Sequence, residues 1–562
     1  MPTSTREIRI EFNHRIPLRD GITLSADVYR PLERSGEIKR YPVILNRTPY
    51  MKLSQGTMQA ARYFAERGYV FVAVDVRGRG DSEGTFVPYF SEGKDGYDVI
   101  EWCAGQSWSD GNVGTIGSSY PGIIQWLAAL EKPPHLKAMV VRVPPSNPFV
   151  ETPTGVPSPM SLCWLHYVSG HVNQLMEAVD WEQVYTHLPL ATMDIQAGRY
   201  IPYWHTEIEH SQLDDFWEPL CYQNKFDQLD IPVLHISGWY DDEQIGTPLN
   251  FIGMTQSAAT PEARASQRMI MGPWGHVVNV ESKIGEVDFG PQSLIDLRGE
   301  ELRWFNRWLK GYTHELSTVE APIRIFVMGS NQWRDEYEWP LARTQWTPFY
   351  LHSQGHANSR FGDGSLSTTA PAIEPADNYR YDPSRPVPFL TEPTSSQIGG
   401  PDDYSAIERR DDVLVYRTEV LQEDLEVTGP IRVELYASSS APDTDFTAKL
   451  VDIWPNGFTQ RLCDGMVRAR FRNGMDKPSL IEPGKIYKYN IDCWNTSQVF
   501  KAGHRIGLEI SSSAFPKYDR NLNTGAALGV TMEMAVAEQR IYHDEEHLSK
   551  MVLPIIHSGG KA

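Results

Sequence analysis

The chain has 562 residues, of which 41% are hydrophobic and 11% aromatic, with 16 Trp and 26 Tyr. This composition excludes a disordered chain, and the length exceeds the roughly 250 to 300 residues at which single cores stop growing, so two or three domains are expected. Seventy-two acidic against 52 basic residues give a formal charge of −20, which argues against nucleic acid or an anionic membrane surface as partner.

Residues 1–30 alternate polar and apolar positions without a signal-like apolar run, and no stretch approaches about 18 uninterrupted apolar residues. A soluble cytoplasmic protein is the expectation. The cysteines, Cys103, Cys163, Cys221, Cys463 and Cys493, are odd in number, scattered and without a CxxC pair, so they read as buried thiols rather than disulfides or metal ligands.

In chain order, residues 7–29 predict two strands around Arg19-Asp20-Gly21, where Asp-Gly supplies the positive φ of a tight hairpin. Residues 42–46 (PVILN) and 70–76 (VFVAVDV) are short, almost wholly apolar runs of the kind that form parallel strands buried on both faces, with helical spacing over 57–67 between them. A helix at 95–103, a strand at 113–116, a helix at 121–130 and a strand at 137–143 continue the alternation. Such β-α-β order predicts a parallel sheet with helices on both faces and ligands at the carboxyl ends of its strands.

Over residues 144–230 the strand signal gives way to helix-compatible stretches at 172–187 and 210–222, predicting an inserted helical cap. The sheet resumes at 231–237 (IPVLHIS) and 268–271 (RMIM), followed by an amphipathic helix at Leu297–Leu309. Past Gly311, strand-like segments at 323–328, 348–352, 431–437, 447–453, 487–493 and 505–511 are separated by Pro, Gly, Asn and Asp clusters, which predicts an antiparallel β-sandwich. Residues 359–396, rich in Pro, Ser and Thr, predict a loop-heavy connection.

The sharpest chemical signal is Gly117-Ser118-Ser119-Tyr120-Pro121-Gly122, lying between a strand and a helix. In a G-x-S nucleophile elbow the serine occupies a strained strand-to-helix turn, and small neighbours let its hydroxyl project from the sheet. Counting from Gly117 selects Ser119. The usual G-x-S-x-G would place glycine at 121; here Pro121 takes that place, which the first helical turn tolerates, and glycine follows at 122.

A serine nucleophile needs a base, and the base an orienting carboxylate. In the order Ser, acid, His, the chain offers Gly238-Trp239-Tyr240-Asp241 after one buried strand and Gly272-Pro273-Trp274-Gly275-His276 after the next. His276 is the histidine in a Gly- and Pro-bounded loop at a strand end, whereas His235 falls within an apolar strand and reads as core. Asp241, Asp242 and Glu243 form a run of acids that spacing alone does not resolve; Asp241 is favoured as the first after the strand. Arg77, Arg79 and Asp81 read as a loop-stabilising ion-pair set.

Together, the elbow G-x-S-Y-x-G, the loops G-W-Y-D and G-P-W-x-H, the Asp75-Val76-Arg77-Gly78-Arg79-Gly80-Asp81-Ser82 segment, the cap and the β-rich end resemble the CocE/NonD group over nearly the whole chain. That group holds bacterial cocaine esterases, α-amino-acid ester hydrolases and glutaryl-cephalosporin acylases, with X-Pro dipeptidyl-peptidases in the same clan. The resemblance implies an α/β-hydrolase domain in two parts, residues 1–143 and 231–345, a helical cap at 144–230 and a jelly-roll β-sandwich at 346–562. It implies Ser119 as nucleophile, Asp241 as orienting acid and His276 as base, with an oxyanion hole from the Tyr120 backbone N–H and the Tyr50 hydroxyl. At the acid loop, Glu243 fits part of a substrate-ammonium site, while Gln244 stands where a second acid is expected. Trp164, Trp181, Trp204 and Trp217 read mainly as cap core, with Trp164 retained as a candidate for the acyl pocket.

The expected activity is hydrolysis of a small-molecule ester, or of an amide, through an acyl-enzyme on Ser119, with no metal or organic cofactor required; esters are favoured because the leaving alkoxide needs less help. An X-Pro-type aminopeptidase or β-lactam side-chain acylase on the same scaffold is the alternative; a carbohydrate-binding protein with an inert α/β domain is the remote one. Neither acyl nor leaving group is named by the sequence, and a homo-oligomer is compatible with it.

Overall fold

The computed structural model describes residues 6–33, 39–315, 320–394 and 399–557. A ten-stranded sheet forms from β1 (Ile8–Pro17), β2 (Thr23–Pro31), β3 (Tyr41–Thr48), β4 (Val70–Asp75), β5 (Ser109–Ser118), β6 (Leu136–Arg142), β7 (Val233–Gly238), β8 (Gln267–Gly272), β11 (Ile323–Val327) and β12 (Gln332–Glu336), with a two-stranded hairpin of β9 (Lys283–Ile284) and β10 (Val287–Asp288) apart from it. Its order is β1-β2-β4-β3-β5-β6-β7-β8-β11-β12, parallel from β4 to β11 and antiparallel at both margins. Gly21 adopts φ +89° in the first hairpin, as Asp-Gly predicts.

The predominantly apolar strands are explained by cover on both faces. Ile44, Ile116, Val140, Ile236 and Ile270 pack with Phe64 of α1 (Gln55–Ala65) and with Trp304 and Phe305 of α10 (Leu297–Leu309). Val43, Leu45 and Val113 turn the other way, onto Val99 and Ile100 of α2 (Glu92–Ala104). Met139, Val141 and Val233 face Ile124 and Leu127 of α3 (Tyr120–Leu130) and Met254 of α8 (Gly246–Ser257) on that side. The strand at 323–328, met among the β-rich C-terminal segments, is part of this sheet: β11 pairs in parallel with β8.

The cap is built from short helices, α4 (Ser161–Tyr167), α5 (Trp181–Thr186), α6 (Met193–Gln196) and α7 (Pro202–Glu209). Two of its predicted helices are therefore corrected. Asp180 caps the N–H of Gln183 at 3.1 Å and delays the helix of 172–187 to Trp181. Over 210–222, Asp214 accepts from His210 and from the N–H of Phe216, and Pro219 lacks a donor, so only single 3₁₀ turns form.

After α9 (Pro261–Ala265) and the hydrolase sheet, eleven strands form the C-terminal sheet. They are β13 (Gln345–His352), β14 (Ser365–Ser367), β15 (Asp377–Tyr381), β16 (Leu414–Arg417), β17 (Leu425–Ser439), β18 (Asp445–Ile453), β19 (Thr459–Arg468), β20 (Tyr487–Phe500), β21 (Arg505–Ser511), β22 (Ala537–Tyr542) and β23 (Lys550–Ile556). This sheet encloses an apolar core that includes Leu351, Val433, Phe446, Leu508 and Leu553. Its pairing is antiparallel except for a single β14–β16 contact. Among the described residues no helix is long and apolar enough to cross a membrane.

Candidate active site

Strand order reverses between β3 and β5, since the chain leaves β3 toward β4 on one side and returns through α2 to β5 on the other. The carboxyl ends beside such a reversal form a crevice. Tyr50 follows β3 and Ser119 follows β5, so the topology sets these two side by side.

Ser119 has φ 62° and ψ −128°, a conformation that strains a residue with a side chain. Its neighbours explain how the turn is made. A Cβ on Gly117 would lie 2.3 Å from the carbonyl oxygen of Pro121, and one on Gly122 would lie 2.8 Å from that of Arg142. Gly122 thus carries the close-packing duty of the displaced second glycine, and Pro121 sits in the first turn of α3. The Tyr120 N–H, at the first helical position, has no intrahelical acceptor and is available to an oxyanion. Its phenol is occupied elsewhere, donating to Glu92 Oε1 at 2.8 Å and accepting from the N–H of Tyr89 at 3.0 Å.

The two other loops interlock. Tyr240 N–H donates to Trp274 O at 3.0 Å and Trp239 N–H to Gly272 O at 2.9 Å. A Cβ at Gly238 would meet Trp274 O at 2.1 Å, and one at Gly272 would meet the Trp274 ring at 2.3 Å. The glycines ending β7 and β8 are the condition for this approach. It delivers His276 Nδ1 to 2.8 Å from Asp241 Oδ1, while Oδ2 accepts from Ser237 Oγ at 2.7 Å.

Ser119, His276, Tyr50, Trp164, Asp242 and Glu243 all line one cavity of about 920 Å³ between sheet and cap, large enough for a drug-sized molecule. The Trp164 indole N–H donates to the Tyr50 hydroxyl at 3.0 Å. Burial raises the pKa of that phenol above its ordinary range, with Trp164 and then the Ser119 hydroxyl pulling partly back. Tyr50 therefore stays a protonated donor. Trp181 and Trp204 are buried in the cap interior, Trp217, read with them as cap core, is buried instead in the cluster formed by α3 and the hydrolase sheet, and Trp164 faces the cavity.

A concentration of carboxylates surrounds the imidazole. Asp242 Oδ1 lies 3.4 Å from His276 Nδ1, and buried Glu243 Oε2 has no hydrogen-bond partner. Burial pushes Asp242 up to about 6 and Glu243 well above the carboxylate range. For His276 burial acts downward, but Asp242, Asp241 and Glu243 outweigh it and raise the imidazole to about 10. Glu151, which accepts from the N–H of Ser146 at 2.7 Å, is pushed up to about 7 by burial and feels Asp241 as well.

Gln244 does not face this cluster. It is buried, its Nε2 donates to Asn495 O at 2.5 Å, and its Oε1 accepts from Asn495 N–H at 3.2 Å, pinning the acid loop to β20. The Arg77, Arg79, Asp81 set is corrected in one member. Arg77 pairs with Asp95 and Asp20, and Asp81 with Lys52. Fully buried Arg79 instead donates to the carbonyls of Pro49 and Val168 at 2.8 and 2.7 Å, joining the Tyr50 loop to the cap. Sequence reasoning missed Tyr89, Glu151, Arg142 and Glu301; none lies in a recognisable motif, and only the folded chain gathers them.

Comparison with known proteins shows the family. Residues 20–278 match the family model of the X-Pro dipeptidyl-peptidases (S15 family), and residues 317–552 match the X-Pro dipeptidyl-peptidase C-terminal non-catalytic domain. A cocaine esterase from Rhodococcus sp. (strain MB1 Bresler) is 38% identical over 97% of this chain and 98% of its own. An α-amino acid ester hydrolase structure superposes with a TM-score of 0.85 at 25% identity, covering 98% of this chain and 97% of its own. The aminopeptidase of a Thaumarchaeota archaeon from marine sediment shares the fold, with a TM-score of 0.84 at 24% identity over 99% and 98% of the two chains.

Proposed function

This chain belongs to the CocE/NonD family of serine hydrolases and cleaves carboxylic esters; from that premise we propose that Ser119 is its nucleophile, His276 its general base and Asp241 the carboxylate that orients the imidazole. One observation carries the assignment: a serine on a strained elbow and an imidazole held at Nδ1 by a buried aspartate open onto the same cavity.

In this reading His276 takes the proton from Ser119 Oγ as the oxygen attacks the ester carbonyl carbon. The tetrahedral oxyanion accepts from Tyr50 O–H and Tyr120 N–H. As the C–O bond breaks, His276 returns the proton to the departing oxygen. Water then repeats the sequence on the acyl-enzyme and releases the acid. Esters are favoured over amides because an alkoxide leaves with less assistance than an amide nitrogen.

The substrate is proposed to be a small molecule whose acyl part carries an ammonium group near the carbonyl, received by Glu243 with Asp242 and Glu151 behind it. An orphaned carboxylate oxygen of Glu243 in the cavity wall supports this. Trp164 is proposed to line the acyl pocket. Residues 1–143 and 231–345 are taken as the catalytic domain, 144–230 as cap and 346–562 as β-sandwich. The five free, buried thiols suit the reducing cytoplasm.

The test is labelling by a fluorophosphonate together with hydrolysis of chromogenic α-amino-acyl and unsubstituted acyl esters. Labelling confined to Ser119 and lost in Ser119→Ala, along with turnover, is expected. Undiminished turnover in that variant removes the serine mechanism.

A further inference from the structure

The cavity wall holds a second charged group that the acyl-transfer steps do not use. Arg142 ends β6 beside the nucleophile: its carbonyl accepts the Ser119 N–H at 3.0 Å, and it stands in register with Ser118. Its side chain is mostly buried and lines the cavity with Arg298 and Glu301 of α10.

Glu301 offers one oxygen to each arginine, Oε1 to Arg142 and Oε2 to Arg298 at 3.2 Å. Among the described residues it is the sole carboxylate in ion-pair range of either. Two guanidiniums against one carboxylate leave one positive charge in the wall; buried Arg142 Nε has no hydrogen-bond partner, and Glu301 Oε1, which also has none, meets Arg142 as an ion pair through Nη2. A buried cation with an unfilled donor is costly unless an anion reaches it.

The position of this charge relative to the reacting groups gives it a direction. The loop after His276 supplies Val277, Asn279 and Val280 to the cavity. Asn279 fastens that loop to the entry of α10 by paired bonds with Ile295, at 2.8 and 2.9 Å. The arginines thus share a wall with the residue that protonates the leaving group.

Resting on the serine-hydrolase reading, we infer that Arg142 and Arg298 form an anion subsite that receives a carboxylate carried on the substrate's leaving group. The preferred substrate is then an ester or amide that releases a carboxylate-bearing alcohol or amine. A planar guanidinium matches a carboxylate through two parallel N–H donors, which a simple point charge does not.

The experiment compares 4-nitrophenyl acetate with 3-carboxy-4-nitrophenyl acetate, each kcat/KM divided by the rate of hydroxide hydrolysis. Wild type should favour the carboxylated ester by about tenfold or more. The preference should fall as salt rises, and it should shrink toward one in Arg298→Gln and Arg142→Met. Should Arg142→Met not fold, Arg298→Gln, on a part-exposed side chain, decides the matter. A wild-type ratio at or below one, with Ser119 still labelled by fluorophosphonate, overturns the subsite and leaves the serine mechanism standing. Loss of both labelling and turnover on the neutral ester overturns the underlying reading, and the subsite with it.

Discussion

His276 Nδ1 and Asp241 Oδ1 stand 2.8 Å apart although 35 positions separate the two residues in the chain. Neighbouring strands β7 and β8 place their carboxyl ends together, and the Trp274 loop packs against Gly238 to close the remaining gap. Asp241→Asn would keep the packing and remove the charge that favours the productive tautomer. A fall in kcat of roughly 10⁴-fold, with an unchanged melting curve, is expected from the behaviour of serine triads; retention of most activity would remove Asp241 from its assigned role.

Tyr50→Phe deletes one donor to the oxyanion and leaves the Trp164 indole N–H without its acceptor. Loss of an oxyanion-hole donor costs about 10²- to 10³-fold in kcat. Steady-state kinetics should show this fall with little change in KM. A variant hurt only in KM would place Tyr50 in ground-state binding instead.

Pro121 and Gly122 exchange the duties expected of them. Pro121→Gly restores the commoner elbow pattern and should retain activity. Gly122→Ala drives a Cβ to 2.8 Å from the carbonyl of Arg142, an overpacking of the kind that costs about 1–3 kcal/mol, and should lower both the melting temperature and kcat. An active, stable Gly122→Ala protein would show that the turn has room the structure does not.

The acidic limb of the pH–rate profile follows from the carboxylates around His276. A general base must be neutral, and Asp242, Asp241 and Glu243 outweigh burial to raise the imidazole to about 10. Glu243→Gln removes one of these charges, the imidazolium is less favoured, and the limb in kcat/KM should move to lower pH. A substrate ammonium docked at Glu243 acts in the same direction. For an amino-acyl ester the limb in kcat should therefore lie below the limb in kcat/KM, and an unmoved limb in both comparisons would separate Glu243 from the base.

Gln244 tests the junction between the two parts of the molecule. Gln244→Glu would set a carboxylate oxygen against the Asn495 carbonyl where an N–H now donates. Leaving a buried polar group so opposed costs about 1–3 kcal/mol or more. Thermal unfolding should occur at lower temperature, whereas tighter binding of an amino-acyl ester at unchanged stability would show that position 244 faces substrate.

Hydrophobic patterning was legible wherever one element buries one kind of surface. The runs VFVAVDV and IPVLHIS announce strands covered on both faces, and Leu297–Leu309 announces a helix with one apolar stripe, because periodicity records which side of a chain meets a core. The short cap helices escaped this reading, since side-chain capping by Asp180 and Asp214 competes locally with the helical ladder.

By itself the sequence determined the α/β sheet, the β-rich end and the three loops that hold Ser119, Asp241 and His276, because each is a local pattern of apolar runs closed by glycine. Only the tertiary structure decided that Gln244 grips β20 while Glu243 and Arg142 face the cavity. Which neighbour a polar side chain meets depends on strand order and on loops from distant parts of the chain. No spacing along the backbone encodes that meeting.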